Sequence, residues 1–161
     1  MSYILPSVKM NVFHLYDFDS TITGGGQVVN FDLSKTQVGS PESTYTASTG
    51  QTVLPDKLCV LQGSVSYLKS SGTNSAFYID TQWYDVTNSQ YIGSKARVWG
   101  YRPDTYYASY DLTCDEESVA IAQNVTVELR IIARVVSNQT LIGDNSAYYS
   151  AESRAIIMEF N

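Results

Sequence analysis

The sequence predicts an all-β domain, a two-sheet antiparallel jelly-roll sandwich of about eight to ten strands spanning residues 1–161. Three observations lead there. Thirteen Tyr, five Phe and two Trp sit among abundant Val, Thr and Ser, a mixture that suits pleated, half-covered surfaces and disfavours helices. Apolar residues recur with period two in several short runs. Clusters of Gly, Ser and Asn separate those runs, and no window combines helical spacing with helix caps.

The elements follow in chain order. "VKMNVFHLY" (8–16) and "QVVNFDL" (27–33) read as strands. The stretch "SKTQVGSPESTYTASTGQTVLPDK" (34–57) reads as a long surface connection with one short strand at "STYTA". "KLCVLQGSVSYLK" (57–69) and "AFYIDTQWYDV" (76–86) flank the turn-forming "SSGTNS", so they are expected to pair as antiparallel neighbours. In the second run Phe77, Ile79, Thr81 and Trp83 alternate with Tyr78, Asp80, Gln82 and Tyr84, which puts aromatics on both faces. "QYIGSKARVWGY" (90–101) is a strand with a bulge expected at Gly93. "TYYASYDLT" (105–113) and "ESVAIAQ" (117–123) supply two shorter ones.

The clearest alternation lies in "NVTVELRIIARVV" (124–136). Val125, Val127, Leu129, Ile131, Ala133 and Val135 fall on one face, with Thr126, Glu128, Arg130 and Arg134 on the other. In "SRAIIMEF" (153–160), Ala155, Ile157 and Glu159 oppose Ile156, Met158 and Phe160. No repeat or linker divides the chain, so a single domain is expected, one long enough to bury about 70% of its unfolded surface.

Sixteen acidic against ten basic residues give a net charge of −6, without blocks of like charge. Direct nucleic-acid binding is not expected. No run is long and apolar enough to span a bilayer, and the first residues lack the pattern of a secretion signal, so a soluble chain made in a cytoplasm is expected, with no membrane partner. Cys59 and Cys114 form neither a zinc pattern nor a disulfide framework and read as small buried hydrophobes. Whether they pair is left open. Asn124-Val-Thr and Asn138-Gln-Thr match the glycosylation pattern by chance on this reading. His14 is the sole histidine, which leaves no basis for a His triad or a multi-histidine metal site. Asp115, Glu116 and Glu117 read as a solvated turn, with calcium ligation the lesser reading.

"HLYDFDSTIT" (14–23) resembles the nucleophile motif of the haloacid dehalogenase superfamily. That resemblance implies Asp17 as the attacking carboxylate, Asp19 as general acid/base and Thr21 as a stabilising hydroxyl. The rest of the family pattern does not follow. "VVSN" (135–138) and "IGDN" (142–145) echo later motifs, but three residues separate them, no lysine follows Lys95, and three glycines stand where a helix should begin. Asp17 and Asp19 therefore read as turn residues, with the glycines taking positive φ. No catalytic residue, cofactor or metal is assigned.

Trp83, Tyr84, Trp99, Tyr101, Tyr106, Tyr107 and Tyr110 can fill a core, anchor a subunit interface or stack on sugars, in that order of expectation. Adjacent Tyr106 and Tyr107 cannot both face one core.

The ending, "VELRIIARVVSNQTLIGDNSAYYSAESRAIIMEF", resembles the closing strands of jelly-roll virion proteins of tailed bacteriophages, similar to the tumour necrosis factor and complement globular heads. Ser153, Ile157, Met158, Glu159 and Phe160 carry the terminal pattern. The resemblance implies a homotrimer without enzyme activity on the outside of a virus particle; within that class, strands that begin almost at once after Met1, with no fibrous shaft before them, lead to the expectation of a capsid decoration or cement protein contacting the major capsid protein. Trp83, Tyr106, Tyr110 and Phe160 are the expected interface residues. The alternative is a receptor-binding tip or lectin-like jelly roll that binds a host glycan.

Overall fold

A computed structural model describes residues 9–18, 20–65, 67–69, 75–102, 114–135, 141–143 and 153–161. Among them there is no helix, and so none long and apolar enough to cross a membrane. Two antiparallel sheets pack face to face with the core between them, and a small third sheet caps one end.

The first sheet has five strands. Its central strand is β15 (Arg154–Phe160), flanked by β7 (Leu58–Ser64) and β1 (Met10–Tyr16), with β12 (Ser118–Ala122) and β4 (Leu33–Val38) at the edges. The second sheet has seven. Its order is β11 (Cys114–Asp115), β10 (Gln90–Arg102), β9 (Ser75–Asp85), β13 (Thr126–Val135), β6 (Gln51–Val53) and β5 (Thr44–Thr46), and β3 (Gln27–Val28) also pairs with β13. The cap joins β2 (Thr21–Ile22), β14 (Leu141–Gly143) and β8 (Tyr67–Lys69). The chain crosses repeatedly between the two large sheets, which together form a β-sandwich. Their 12 strands exceed the expected eight to ten because several are only two or three residues long.

Period two explains the core. On β13, Val127, Leu129 and Ile131 face inward as expected; on β9, Ile79, Thr81 and Trp83 do; on β15, Ala155 and Ile157 do. Trp83 fills the space above Gly63, where an added Cβ would lie 3.2 Å from its ring and 2.9 Å from Leu129. Tyr45 ties the second sheet's edge to the loop before β4. Its hydroxyl accepts from the Phe31 amide (2.6 Å) and donates to the Phe31 carbonyl (2.9 Å). Burial pushes its phenol up to about 12, which keeps that donor protonated.

Four expectations are corrected. Segments 57–69 and 76–86 are not a hairpin: β7 pairs with β12 and β15, whereas β9 pairs with β10 and β13 in the opposite sheet. The connection after residue 33 contains a six-residue strand, β4, together with β5 and β6. Every residue of β4 is exposed, so this edge strand shows no period in its sequence. A bulge between Ile131 and Ala133 sets Arg134 opposite Ile79, on the core side, and Ala133 opposite Asp80. Arg134 thus leaves the outer face to which simple alternation assigns it. Trp83 is 1% exposed, inside the single chain, and its indole donates to the Ser118 carbonyl at 3.2 Å; it is a core residue rather than an interface anchor.

Gly93 sits where the bulge was expected, between Ile92 and Ala96, with φ of 71°. A Cβ there would come within 2.0 Å of the Val119 carbonyl oxygen. Here β10 and β12 close the sandwich, joined by Ser118 Oγ donating to the Ser94 carbonyl (2.7 Å) and the Val119 amide donating to Ser94 Oγ (3.0 Å). Gly93→Ala is expected to cost about 2 kcal/mol or more, from backbone strain and overpacking together. Urea denaturation measures it; an unchanged midpoint would show that the corner is loose.

Candidate functional site

The dehalogenase-like motif is a turn. Asp17 follows β1 with φ of 63°, and its carbonyl accepts from the Asp32 amide at 2.7 Å. Asp19 lies outside the described residues. Thr21 begins the short strand β2. Gly24, Gly25 and Gly26 all have positive φ, as expected. The Gln27 side chain closes the loop by accepting from the Thr23 amide (2.7 Å) and donating to the Thr21 carbonyl (2.9 Å). A strand-rich sandwich is not the dehalogenase scaffold of alternating helices and parallel strands. Among the described residues no group of three or more His, Cys, Asp or Glu side chains could hold a metal ion. In the acidic run, Glu116 accepts from the Arg97 amide and Glu117 pairs with Arg154, each at 3.0 Å.

The outer face of the seven-stranded sheet carries the aromatic row foreseen on β9, and arginines occupy it. The Arg97 guanidinium lies 4.0 Å over the Tyr78 ring and grips Asp80 with two bonds of 2.6 and 2.8 Å. Arg130 lies 3.4 Å over Tyr84 and pairs with buried Glu128 at 2.5 Å. Tyr91 meets Tyr84 edge-on at 5.0 Å. Such stacks gain cation–π and ion-pair energy together. An arginine therefore covers one face of Tyr78 and one face of Tyr84, unlike an open platform for sugar.

The opposite outer face, on the five-stranded sheet, is different. Cross-strand partners project to the same side, so the register lays out whole rows. One row runs Ile121–Val60–Met158–Val12–Val38 across all five strands. Beside it lies Leu58–Phe160–Met10. The next row, Val119–Gln62–Ile156–His14–Lys35, is mixed, and Arg154 lies beyond it. Ile121 is 64% exposed, Val38 51% and Leu58 49%. Four strand spacings and seven residues of rise give a face of roughly 20 by 20 Å. Its apolar part is at the upper end of what a single soluble chain leaves uncovered.

Of the expected interface residues, Phe160 stands on this face, half-buried. Tyr106 and Tyr110 lie outside the described residues, as does Tyr107. The sequence signal for the face was the second apolar set in "SRAIIMEF", Ile156, Met158 and Phe160, which could not join the core claimed by Ala155 and Ile157.

A buried carboxylate fixes one margin of the face. Glu159 is 0% exposed, on the core side of β15, opposite Asn11 and Cys59. It accepts from the Ser43 amide at 2.7 Å, the Glu42 amide at 3.0 Å and the Asn11 side chain at 3.4 Å. Asn11 also accepts from the Ser40 amide at 3.2 Å. Together they pin the 39–43 crossover that carries the chain from β4 into the other sheet, while Lys57 pairs with Glu42 outside. Burial pushes the Glu159 carboxyl upward, but the Glu42 and Ser43 hydrogen bonds outweigh it and hold the group below its ordinary value of 4.5. Cys59 is a free thiol pushed up to about 11 by burial and by Glu159, hence inert as a nucleophile.

No protein-family model matches the chain, and no curated protein matches it in sequence.

Because the folded value of Glu159 is depressed, its stabilisation is complete above the unfolded carboxylate value and is lost as pH falls through the folded one. Glu159→Gln, whose one carbonyl oxygen keeps the Ser43 and Glu42 amides only by turning its NH2 group toward the Asn11 side-chain donor, is expected to cost about 2 kcal/mol at neutral pH. The gap between variant and parent should narrow steadily below about pH 4.5. Chemical denaturation from pH 7 to 3 checks this; a gap independent of pH would remove the latch.

Proposed function

We infer that this chain is a non-enzymatic structural protein of a virus particle, a homotrimeric subunit that decorates the head of a tailed bacteriophage and cements its capsid lattice. The observation that supports this best is the uncovered apolar outer face of the five-stranded sheet. Neighbouring copies, packed around a common axis, give that face a cover that the described residues of the single chain do not supply. In a threefold ring each such face packs against a different patch of the next copy, and a stable contact of this kind buries about 1,200 Å² or more in total. Phe160, Met158, Val60, Val12 and Ile121 then replace Trp83 as interface residues. The net charge of −6 suits an outward, solvated surface, and the partner under the trimer is the major capsid protein. The chain is made in the host cytoplasm and ends on the capsid surface. The glycan-binding alternative draws less support, because the exposed ring faces of Tyr78 and Tyr84 already carry arginines.

Light scattering on the purified chain is expected to give a trimer, and Met158→Asp, which desolvates a charge in the interface, to give a monomer that is still folded. The parent should rebind capsids stripped of their minor proteins, and the variant should bind at least ten-fold more weakly. A parent that is monomeric, ignores capsids and binds cell-surface polysaccharide would overturn the assignment.

A further inference from the structure

The chain leaves the sandwich after Phe31 and returns to it at Ser43, and both points are pinned. Phe31 is buried, with its amide and carbonyl bonded to the Tyr45 hydroxyl at 2.6 and 2.9 Å, and the next amide, of Asp32, donates to the Asp17 carbonyl at 2.7 Å. Ser43 is buried too, its amide on the Glu159 carboxylate at 2.7 Å. Residues 32–40, in between, are all exposed. Three sets of contacts hold this excursion down. β4 pairs along β1 from Val12 opposite Val38 to Tyr16 opposite Leu33, across an irregularity between Val12 and Phe13. On the surface, the Gln37 side chain meets the His14 imidazole at 3.2 Å and Lys57 pairs with exposed Glu42, contacts of a kind that contribute little. The third set reaches inward: Asn11 and fully buried Glu159 accept from the Ser40 and Glu42 amides at 3.2 and 3.0 Å. Gly39, with φ of 69°, lies so close to Asn11 that a Cβ would come within 2.1 Å of its Oδ1.

We propose that residues 33–42 form a flap that lifts off β1 as one unit while the sandwich behind it stays folded, and that the Glu159 carboxylate is the latch that holds it closed. Lifting breaks the β1–β4 pairing and the latch but bares no buried side chain of β4, so the flap opens well below the free energy of global unfolding. The bonds between Tyr45 and Phe31 close its base. Lifted, it leaves on β1 a row of backbone donors and acceptors to which an extended segment adds; closed, it withholds them. Acid works the latch. Protonation takes the charge from the bonds that Glu159 accepts, and because its folded carboxyl titrates below 4.5, the closing is complete above that value and lost as pH falls through the folded one. Facing Glu159 are Asn11 of β1, Cys59 of β7, whose thiol is pushed up to about 11 and stays neutral, and the crossover at Glu42 with Lys57 beyond it. His14 touches the flap elsewhere, at Gln37 and beside Lys35.

Native-state hydrogen exchange of the full chain, followed amide by amide with and without low urea, tests this. The bonded amides of β4 and those of Ser40 and Glu42 are expected to exchange together, roughly ten-fold or more faster than those of β9 and β13 and with a shallower dependence on urea. Corrected for intrinsic rates, their exchange should rise about ten-fold or more between pH 6 and pH 3 in the parent; Glu159→Gln should show the raised rate already at pH 6 and no further acid step. Asn11→Ala, a milder change, should raise the same amides about several-fold. Exchange of these amides at the rate and urea dependence of β13 would overturn the flap, because the segment would then open only with the whole fold. Exchange of β4 with Ser40 and Glu42 still protected would overturn it as well, leaving only a frayed edge strand. An acid step that persists in Glu159→Gln would pass the latch to Glu42 or His14 and overturn its assignment.

Discussion

A strand that is apolar on both faces has to be covered on both, and β15 at the centre of the five-stranded sheet is such a strand. Its inner side chains, Ala155 and Ile157, complete the core, and Glu159 at its end clamps the crossover between sheets. Among the described residues, its half-buried outer side chains, Ile156, Met158 and Phe160, lie beside the rows of β7 and β1 with no other strand placed over them. Leaving such a face in water forgoes about 25 cal/mol for each Å² of apolar surface. The rest of the molecule is arranged around that constraint: one sheet finishes its own surface chemistry, and the other leaves its surface open.

The two outer faces make the contrast explicit. On the seven-stranded sheet, Arg97 and Arg130 each satisfy a carboxylate and an aromatic ring at once, so this surface is internally complete and compatible with solvent. Removing either arginine would take the counter-charge from a carboxylate that is nearly buried, Asp80 or Glu128, the latter keeping only a neutral donor, Gln51, at a cost beyond that of an exposed pair. On the five-stranded sheet, the few polar groups sit toward one end, at Gln62, His14, Lys35 and Arg154, and give the patch a polar rim rather than a polar interior. An apolar centre with a charged margin is the anatomy of an interface.

Much of the fold was legible in the sequence. The period of β13 and β15, the bulge at Gly93 and the positive-φ glycines after Asp17 all follow from local rules, because each expresses a steric or burial requirement contained within a few residues. What was not legible depends on partners distant in the chain. β4 has no period because, as an edge strand, it is exposed on both sides. The segments at 57–69 and 76–86 look like a hairpin because nearness in sequence is the default, yet the sandwich sends them to opposite sheets. Arg134 changes face through one bulged residue, Ile132, which no alternation count detects. The site was half legible. Phe160 belongs to the second apolar set of β15, visible in the sequence, whereas Trp83 could be placed inside the core only once Gly63 and Ser118 were known to lie beside it.

The latch and the face meet at the same margin, so the outermost strand of the face depends on the latch. Val38, the last residue of β4, ends the longest apolar row and leads directly into the crossover held by Asn11 and Glu159. Releasing that crossover frees the outermost strand of the face before any core side chain has to move, since β4 contributes no buried residue. Lys35 and the irregularity between Val12 and Phe13, where Gln37 is the extra residue, also guard this edge against pairing with a stray strand, as natural sheets do. The five-stranded sheet thus resists growth at its margin while leaving its face open. Open-ended addition of strands at that edge, which would not close into a finite assembly, is thereby disfavoured.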